Sequence, residues 1–180
     1  APRPAPVTQS FSIDGLDAIR IVIVDGWIDE AASDLTDLPD GLSLTRANAE
    51  SGYLEADRSR AFEALNLAAA PEPFVLRADG VVEKPVHLVH YSTRSDEPKV
   101  SSPRIRVELA RNAELKIVED HLAADGSRDL VNLSVDLIAG ENATVSWMRL
   151  MRSSSDLRHI ASMTIAQERD SVVRVQAMTL

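Results

Sequence analysis

The side chains best suited to chemistry in this sequence are four histidines, His87, His90, His121 and His159, and several groups of carboxylates. His87 and His90 lie three residues apart in Val86-His87-Leu88-Val89-His90-Tyr91, a segment whose alternation and branching mark a strand. On a strand that spacing points them to opposite faces, so they cannot grip one metal ion; on a helix they could. One half-buried and one surface histidine are expected. His121 follows Glu119-Asp120, and His159 follows Ser153-Ser154-Ser155-Asp156, which supplies the residue types of a Ser–His–Asp set. No G-x-S-x-G elbow accompanies them, so no hydrolytic triad is assigned. Asp29-Glu30, Asp34, Asp37 and Glu119-Asp120 could provide the acid and base of a carbohydrate-active enzyme. Such a site needs a groove lined with aromatics, and the strands offer Trp147 and Tyr91. The acids are therefore expected on a solvated surface, and Trp147 in the core or at a cap. There is no P-loop and no G-x-G-x-x-G, so nucleotide binding has no support. No catalytic, cofactor-binding or metal-binding residue is assigned, and the chain is expected not to be an enzyme.

Composition narrows the classes further. The 180 residues suffice for one domain, or for one domain with a small appendage. Hydrophobic residues make up 44% but aromatics only 4%, so the core must be built mainly from Val, Ile, Leu and Ala. Small aliphatic side chains of that kind suit stacked strands. A formal charge of −9 argues against a nucleic-acid surface, which needs clustered Lys and Arg. The absence of cysteine excludes disulfides and any thiolate metal site from this chain. No apolar run reaches the length of a membrane span, the N-terminus carries no signal-peptide pattern, and the expected location is the cytoplasm.

The elements that must position these groups follow from periodicity. Residues 1–12 are Pro-rich and expected to form an extended or disordered leader. Arg20-Ile21-Val22-Ile23-Val24 reads as a buried strand, Asp25-Gly26 as a hairpin signal, and Trp27-Ile28 as the start of a returning strand. Between Asp57 and Ala70 the period becomes helical, with Ala61, Phe62, Leu65, Ala68 and Ala69 on one face. Asp57 is the expected N-cap, and Pro71 and Pro73 stop the helix. From Phe74 onward the pattern is all strand. A strand–corner–strand unit recurs at intervals of about 28 residues. Its corners fall at Ala110-Arg111-Asn112-Ala113, Gly140-Glu141-Asn142-Ala143 and Glu168-Arg169-Asp170-Ser171. Asn112, Gly140 and Asn142 can adopt the left-handed backbone that tight corners require. Ile105, Val107 and Leu109, and in the next copy Leu133, Val135 and Leu137, share inward faces that would stack into ladders. The pattern predicts a solenoid, with a β-sandwich as the alternative. The organisation expected is a leader over 1–12, an α/β region over 13–71, and the first turns of a β-helix over 72–180. The bare last repeat near Leu180 is expected to self-associate.

Several segments, taken in order, resemble one family. They are Arg20-Ile21-Val22-Ile23-Val24-Asp25-Gly26-Trp27, Leu35-Thr36-Asp37-Leu38-Pro39-Asp40-Gly41, Phe62-Glu63-Ala64-Leu65-Asn66 and Lys84-Pro85-Val86-His87-Leu88-Val89-His90. Ser102-Pro103-Arg104, Val118-Glu119-Asp120-His121 and His159-Ile160-Ala161 leading to Arg169-Asp170-Ser171 complete the set. This order resembles the SufB/SufD iron–sulfur cluster assembly proteins, and the N-terminal part of SufD more than SufB. The resemblance implies a right-handed parallel β-helix with an N-terminal α/β appendage. It also implies a non-enzymatic scaffold subunit that works with SufB-like and SufC-like partners. A transient iron–sulfur cluster would be handled by the complex and ATP used by the SufC-like subunit, with no cofactor bound by this portion. The family's working residues lie further along its chains, so none is carried onto a position here.

Overall fold

The computed structural model describes residues 3–47, 61–153 and 156–180. The chain forms a hairpin from β1 (Ile19–Val24) and β2 (Trp27–Ile28), then β3 (Leu42–Arg46), α1 (Ala61–Ala69) and β4 (Phe74–Ala78). There follow β5 (Val86–Ser92), β6 (Val100–Ser101), β7 (Arg104–Leu109), β8 (Glu114–Ala123), β9 (Leu130–Ala139), β10 (Thr144–Met151), β11 (Arg158–Gln167) and β12 (Val172–Thr179). From β4 onward the chain alternates between two sheets, coiling as a parallel β-solenoid of about three turns. The first sheet runs β12-β10-β8-β5-β1-β2 and the second β11-β9-β7-β4-β3. The β-sandwich alternative is thereby set aside: from β4 onward, neighbouring strands within each sheet are parallel, as a coiling chain arranges them.

The inward faces are those the alternation marked. Ile105, Val107, Leu109, Leu133, Val135 and Leu137 are all buried in one continuous core with Ile19, Ile21 and Ile23. Both sheets take strands from either side of residue 72. β1 pairs in parallel with β5, and β3 pairs antiparallel with β4, so the N-terminal strands extend the solenoid sheets. Asp25 and Gly26 both have positive φ (51° and 91°), the type I′ geometry an Asp-Gly hairpin needs. The leader has no regular secondary structure, but it is anchored: Val7 donates its N–H to Asp29 Oδ2, and Phe11 is buried against Val22, Val24 and Val89.

The corners show where local chemistry shapes the coil. Asn112, Asn142 and Asp170 occupy the equivalent corner position with φ of 61°, 59° and 59°. Asn142 Nδ2 donates to Asn112 Oδ1 at 2.8 Å, beginning a ladder of corner side chains. Gly140 is required for a different reason from the one expected. It is not in the left-handed region, but a Cβ there would lie 2.7 Å from the carbonyl oxygen of Leu109. Asn142→Ala should cost about 1–2 kcal/mol, because alanine carries a Cβ into αL without the polar side chain that eases asparagine there, whereas Asn142→Gly should stay within about 0.5 kcal/mol. Urea unfolding of the two variants would decide it, and equal stabilities would refute this account of the corner.

The helix differs from its sequence reading. Asp57 lies outside the described residues. Glu63 and Asn66 are the buried positions of α1, while Phe62, Leu65 and Leu67 are 44–45% exposed. The reason is the surface it rests on, the polar outer side of the second sheet. Asn66 Nδ2 donates to the carbonyls of Pro103 and Asn132, Asn132 Nδ2 donates to the carbonyl of Phe62, and Arg104 donates to Asn66 Oδ1. An apolar face would leave those groups unpaired.

Candidate functional site

Strand parity and parallel register gather a polar cluster inside the solenoid. Along β5 the inward residues are Val86, Leu88 and His90; along β8 they are Leu115, Ile117, Glu119 and His121. The register sets His90 beside His121, and Glu119 beside Arg149 of β10. The apolar stack of the first half of each strand thus gives way to charge in the second half. His90 and His121 lie ring over ring, with centroids 4.6 Å apart and planes 5° from parallel. His159, from β11 in the opposite sheet, meets His121 edge-on at 4.2 Å.

Glu119 is the hub of this cluster and is fully buried. Its Oε2 accepts hydrogen bonds from Trp147 Nε1 at 2.7 Å and Arg149 Nε at 2.6 Å. Its Oε1 faces His121 Nε2 at 3.3 Å and His90 Nε2 at 3.4 Å, without the angles of a hydrogen bond. Both ring nitrogens of His90 and of His121 therefore lack hydrogen-bond partners, as does His159 Nε2. Donor atoms of His90, Glu119 and His121 lie within 4.8 Å of one another, so these three could hold a metal ion.

The protonation states follow from burial. Desolvation pushes His90 down to about 4, with the neighbouring His121 and Arg149 adding to the drop against the pull of Glu119. Desolvation, then His121, His90 and Arg149, pushes His159 down to about 3. Burial alone would raise Glu119, but His121 and His90 outweigh it and hold the carboxylate well below its ordinary range. At neutral pH the imidazoles of His90 and His159 are thus neutral, and the Glu119 carboxylate is ionised. The ion-free protein should consequently be acid-labile. An unfolded histidine takes up a proton below about pH 6.5, whereas folded His90 refuses it until about pH 4. Stability is complete above that upper limit and falls through the window, by about 3 kcal/mol from His90 alone. Urea midpoints at pH 7 and pH 4 check this, and His90→Gln should flatten the difference; an unchanged slope in that variant would refute it.

Each sequence candidate has a definite place. His87 and His90 do fall on opposite faces of the sheet, but both are buried, so neither is the surface residue expected. On the outer side His87 Nε2 lies 3.2 Å from Asp120 Oδ2, and Arg152 clamps the same carboxylate with two hydrogen bonds. Burial alone would raise Asp120, but Arg152 and His87 outweigh it and hold it at about 2. Neither Glu119 nor Asp120 is a solvated surface acid, because each has cationic or N–H donors on neighbouring rungs. Asp29 accepts the N–H groups of Val7, Ala31 and Ala32, Asp34 pairs with Arg20, and Glu30 pairs with Arg46 at the surface. Asp29 and Glu30 line one cavity beside Trp27, while Asp34 and Asp37 line another beside Asp40, so the acids are not gathered into one groove. Ser154 and Ser155 lie outside the described residues, and His159 is turned toward His121. Trp147 is in the core, as expected. The pairing of His90 with His121 escapes a reading along the strand. Its signal is their separation, which is close to one repeat.

The family model for the SUF system FeS cluster assembly SufBD core domain matches residues 90–180, half of the chain. This chain belongs to the SufBD family. The matched SufBD core spans every residue of the interior cluster, beginning at His90 itself. An iron–sulfur cluster assembly SufBD family protein of Synechocystis is 27% identical over 187 residues, covering 93% of this chain and 41% of its own length. The chloroplastic protein ABCI7 of Arabidopsis thaliana is 28% identical over 167 residues, covering 83% of this chain and 35% of its own length. The chain therefore spans about two fifths of the length of these SufBD relatives or less. Membership accounts for the order of segments noted in the sequence.

Proposed function

We propose that this chain belongs to a SufD-type scaffold subunit of the SUF assembly complex, working through protein–protein contacts and catalysing no reaction itself. The observation that carries the reading is the SufBD core match over residues 90–180. The SufD type rests on the residue strings given above, which resemble SufD more than SufB. A scaffold needs a rigid body with an edge to offer, and the solenoid supplies both. Val172, Val175 and Met178 of β12 and Ile165 of β11 are about half exposed at the ladder ends. Further rungs, a SufB-like subunit or a second copy of this chain would cover them.

In this reading a SufC-like subunit uses the ATP, and the nascent cluster is cargo of the complex. The same reading puts the protein in the cytoplasm. No helix among the described residues is long and apolar enough to cross a membrane. Affinity purification of the complete polypeptide from its host tests the assignment. Retention of a SufB-like and a SufC-like subunit is expected in stoichiometric amounts. Recovery of the protein without either would overturn the scaffold reading.

A further inference from the structure

We propose that His90, Glu119 and His121 form a mononuclear site for a divalent transition-metal ion inside the solenoid, of the kind that suits ferrous iron. Two imidazoles and one carboxylate with positions left open are the donor set of non-haem iron(II) centres. The separations fit a shared ion. Two ligand atoms about 2.1 Å from one ion lie roughly 3.0–3.4 Å apart in octahedral or tetrahedral arrangement. Glu119 Oε1 is 3.3 Å from one Nε2 and 3.4 Å from the other. The histidine nitrogens, no more than 4.8 Å apart, close the remaining gap by small side-chain rotations.

A second observation points the same way. Buried polar atoms are paired in almost all native interiors, and leaving them unpaired is costly. Here both nitrogens of two fully enclosed rings and one carboxylate oxygen lack hydrogen-bond partners, all in one place. A coordinated ion satisfies Oε1 and one nitrogen of each ring at once. Meanwhile Trp147 and Arg149 occupy Oε2 and fix the carboxylate so that only Oε1 faces the histidines. Such outer contacts are what orient metal ligands elsewhere.

Arg149 also decides which ions fit. Its guanidinium offsets the Glu119 charge, so the site is too poor in anionic oxygen for Ca²⁺ or Mg²⁺ and depends on nitrogen donors. His159 and Arg149, both only partly buried, border the cluster, His159 edge-on to His121 and Arg149 on Glu119 Oε2. The site stands on its own geometry, and only the assignment of iron as its ion in cells rests on the assembly reading. Metal binding by a protein that retained no SUF partner would leave the site standing and the scaffold reading fallen.

Anaerobic titration of the chelator-stripped protein with Co²⁺ is the test. One equivalent is expected to bind with visible d–d bands, to be displaced by Fe²⁺ only in excess because Fe²⁺ is the weaker binder of the two, and to be unaffected by Mg²⁺ or Ca²⁺. His90→Gln and His121→Gln should each weaken binding by at least about 100-fold. His87→Gln, altered on the other face of the sheet, should bind as before. If the histidine variants do not fold, X-ray absorption of the Co²⁺-loaded unaltered protein decides the matter. Imidazole scattering from two ligands supports the site; its absence overturns it. No saturable binding, or equal loss in His87→Gln, would also overturn it.

Discussion

Leu137→Asp is expected to abolish the cooperative unfolding transition at 25 °C. Leu137 is fully buried in the ladder that runs Leu76, Val107, Leu137, Ile165 across four successive strands of the second sheet. A carboxylate at that point has apolar neighbours above and below in the ladder. Leaving a buried charge unpaired costs about 3–5 kcal/mol, to which the lost leucine packing adds another 2–5 kcal/mol. A domain holds only about 5–15 kcal/mol in total. Ile165→Asp supplies the internal comparison, because Ile165 shares the ladder but is 42% exposed. That variant should lose about 1 kcal/mol or less, since water already reaches the site. Circular dichroism with urea titration separates the two. Equal effects would show that ladder position, rather than burial, sets the cost, and a stable Leu137→Asp would reverse the inward face. Val135, equally buried beside Ile105 and Met163, should behave like Leu137.

Parity along a strand is a local property, and that is why the inward faces were legible. Val135 and Leu137 declare their side by alternating with Ser134 and Asp136, whatever the neighbouring strands do. The coil itself was legible because its corners repeat, although Asp170 was not marked with Asn112 and Asn142 as a left-handed residue. Its short polar side chain tolerates that backbone for the same reason asparagine does. The helix misled because apolar periodicity says which residues share a face, not which face is turned inward. A polar landing surface of Arg104, Asn132 and Ser134 selects Asn66 over Leu65.

The interior cluster was out of reach for a different reason. His90 and His121 become neighbours only through the register of β5 on β8, and no residue near either announces the other. Spacing within a strand correctly excludes a His87–His90 pair, but it says nothing about partners one rung away. In a solenoid the relevant spacing is the repeat itself, so ligands can be gathered from residues about thirty positions apart. Glu119 compounds the difficulty. In composition it is one acid among 28 Asp and Glu residues, whereas in the fold it is the buried carboxylate on which three side-chain families converge.

Arg104→Met should destabilise the protein by about 3–5 kcal/mol, the range for removing one partner of a buried ion pair. Arg104 and Asp136 are 2% and 3% exposed, and Arg104 Nη2 donates to Asp136 Oδ2 at 2.9 Å. The same guanidinium donates through Nη1 to Ser134 Oγ and Asn66 Oδ1, so it ties both β9 and α1 to β7. Burial already raises the Asp136 pKa despite the opposing pull of Arg104. Without that pull the pKa climbs further, and the carboxylate takes a proton from water at a higher pH. A raised folded-state pKa on an acid destabilises the fold above that pKa, and the penalty is relieved as pH falls through it. The deficit of Arg104→Met should therefore be largest at neutral pH and shrink on acidification, opposite in sign to the loss expected from His90. Arg104→Met/Asp136→Leu should recover most of the stability, because a well-packed apolar pair removes both desolvation costs together. Hydrogen exchange should nevertheless stay faster in α1 than in the unaltered protein, since Asn66 Oδ1 still lacks its donor. Two results would refute this account: a double variant as unstable as the single one, or a single variant whose deficit does not change with pH.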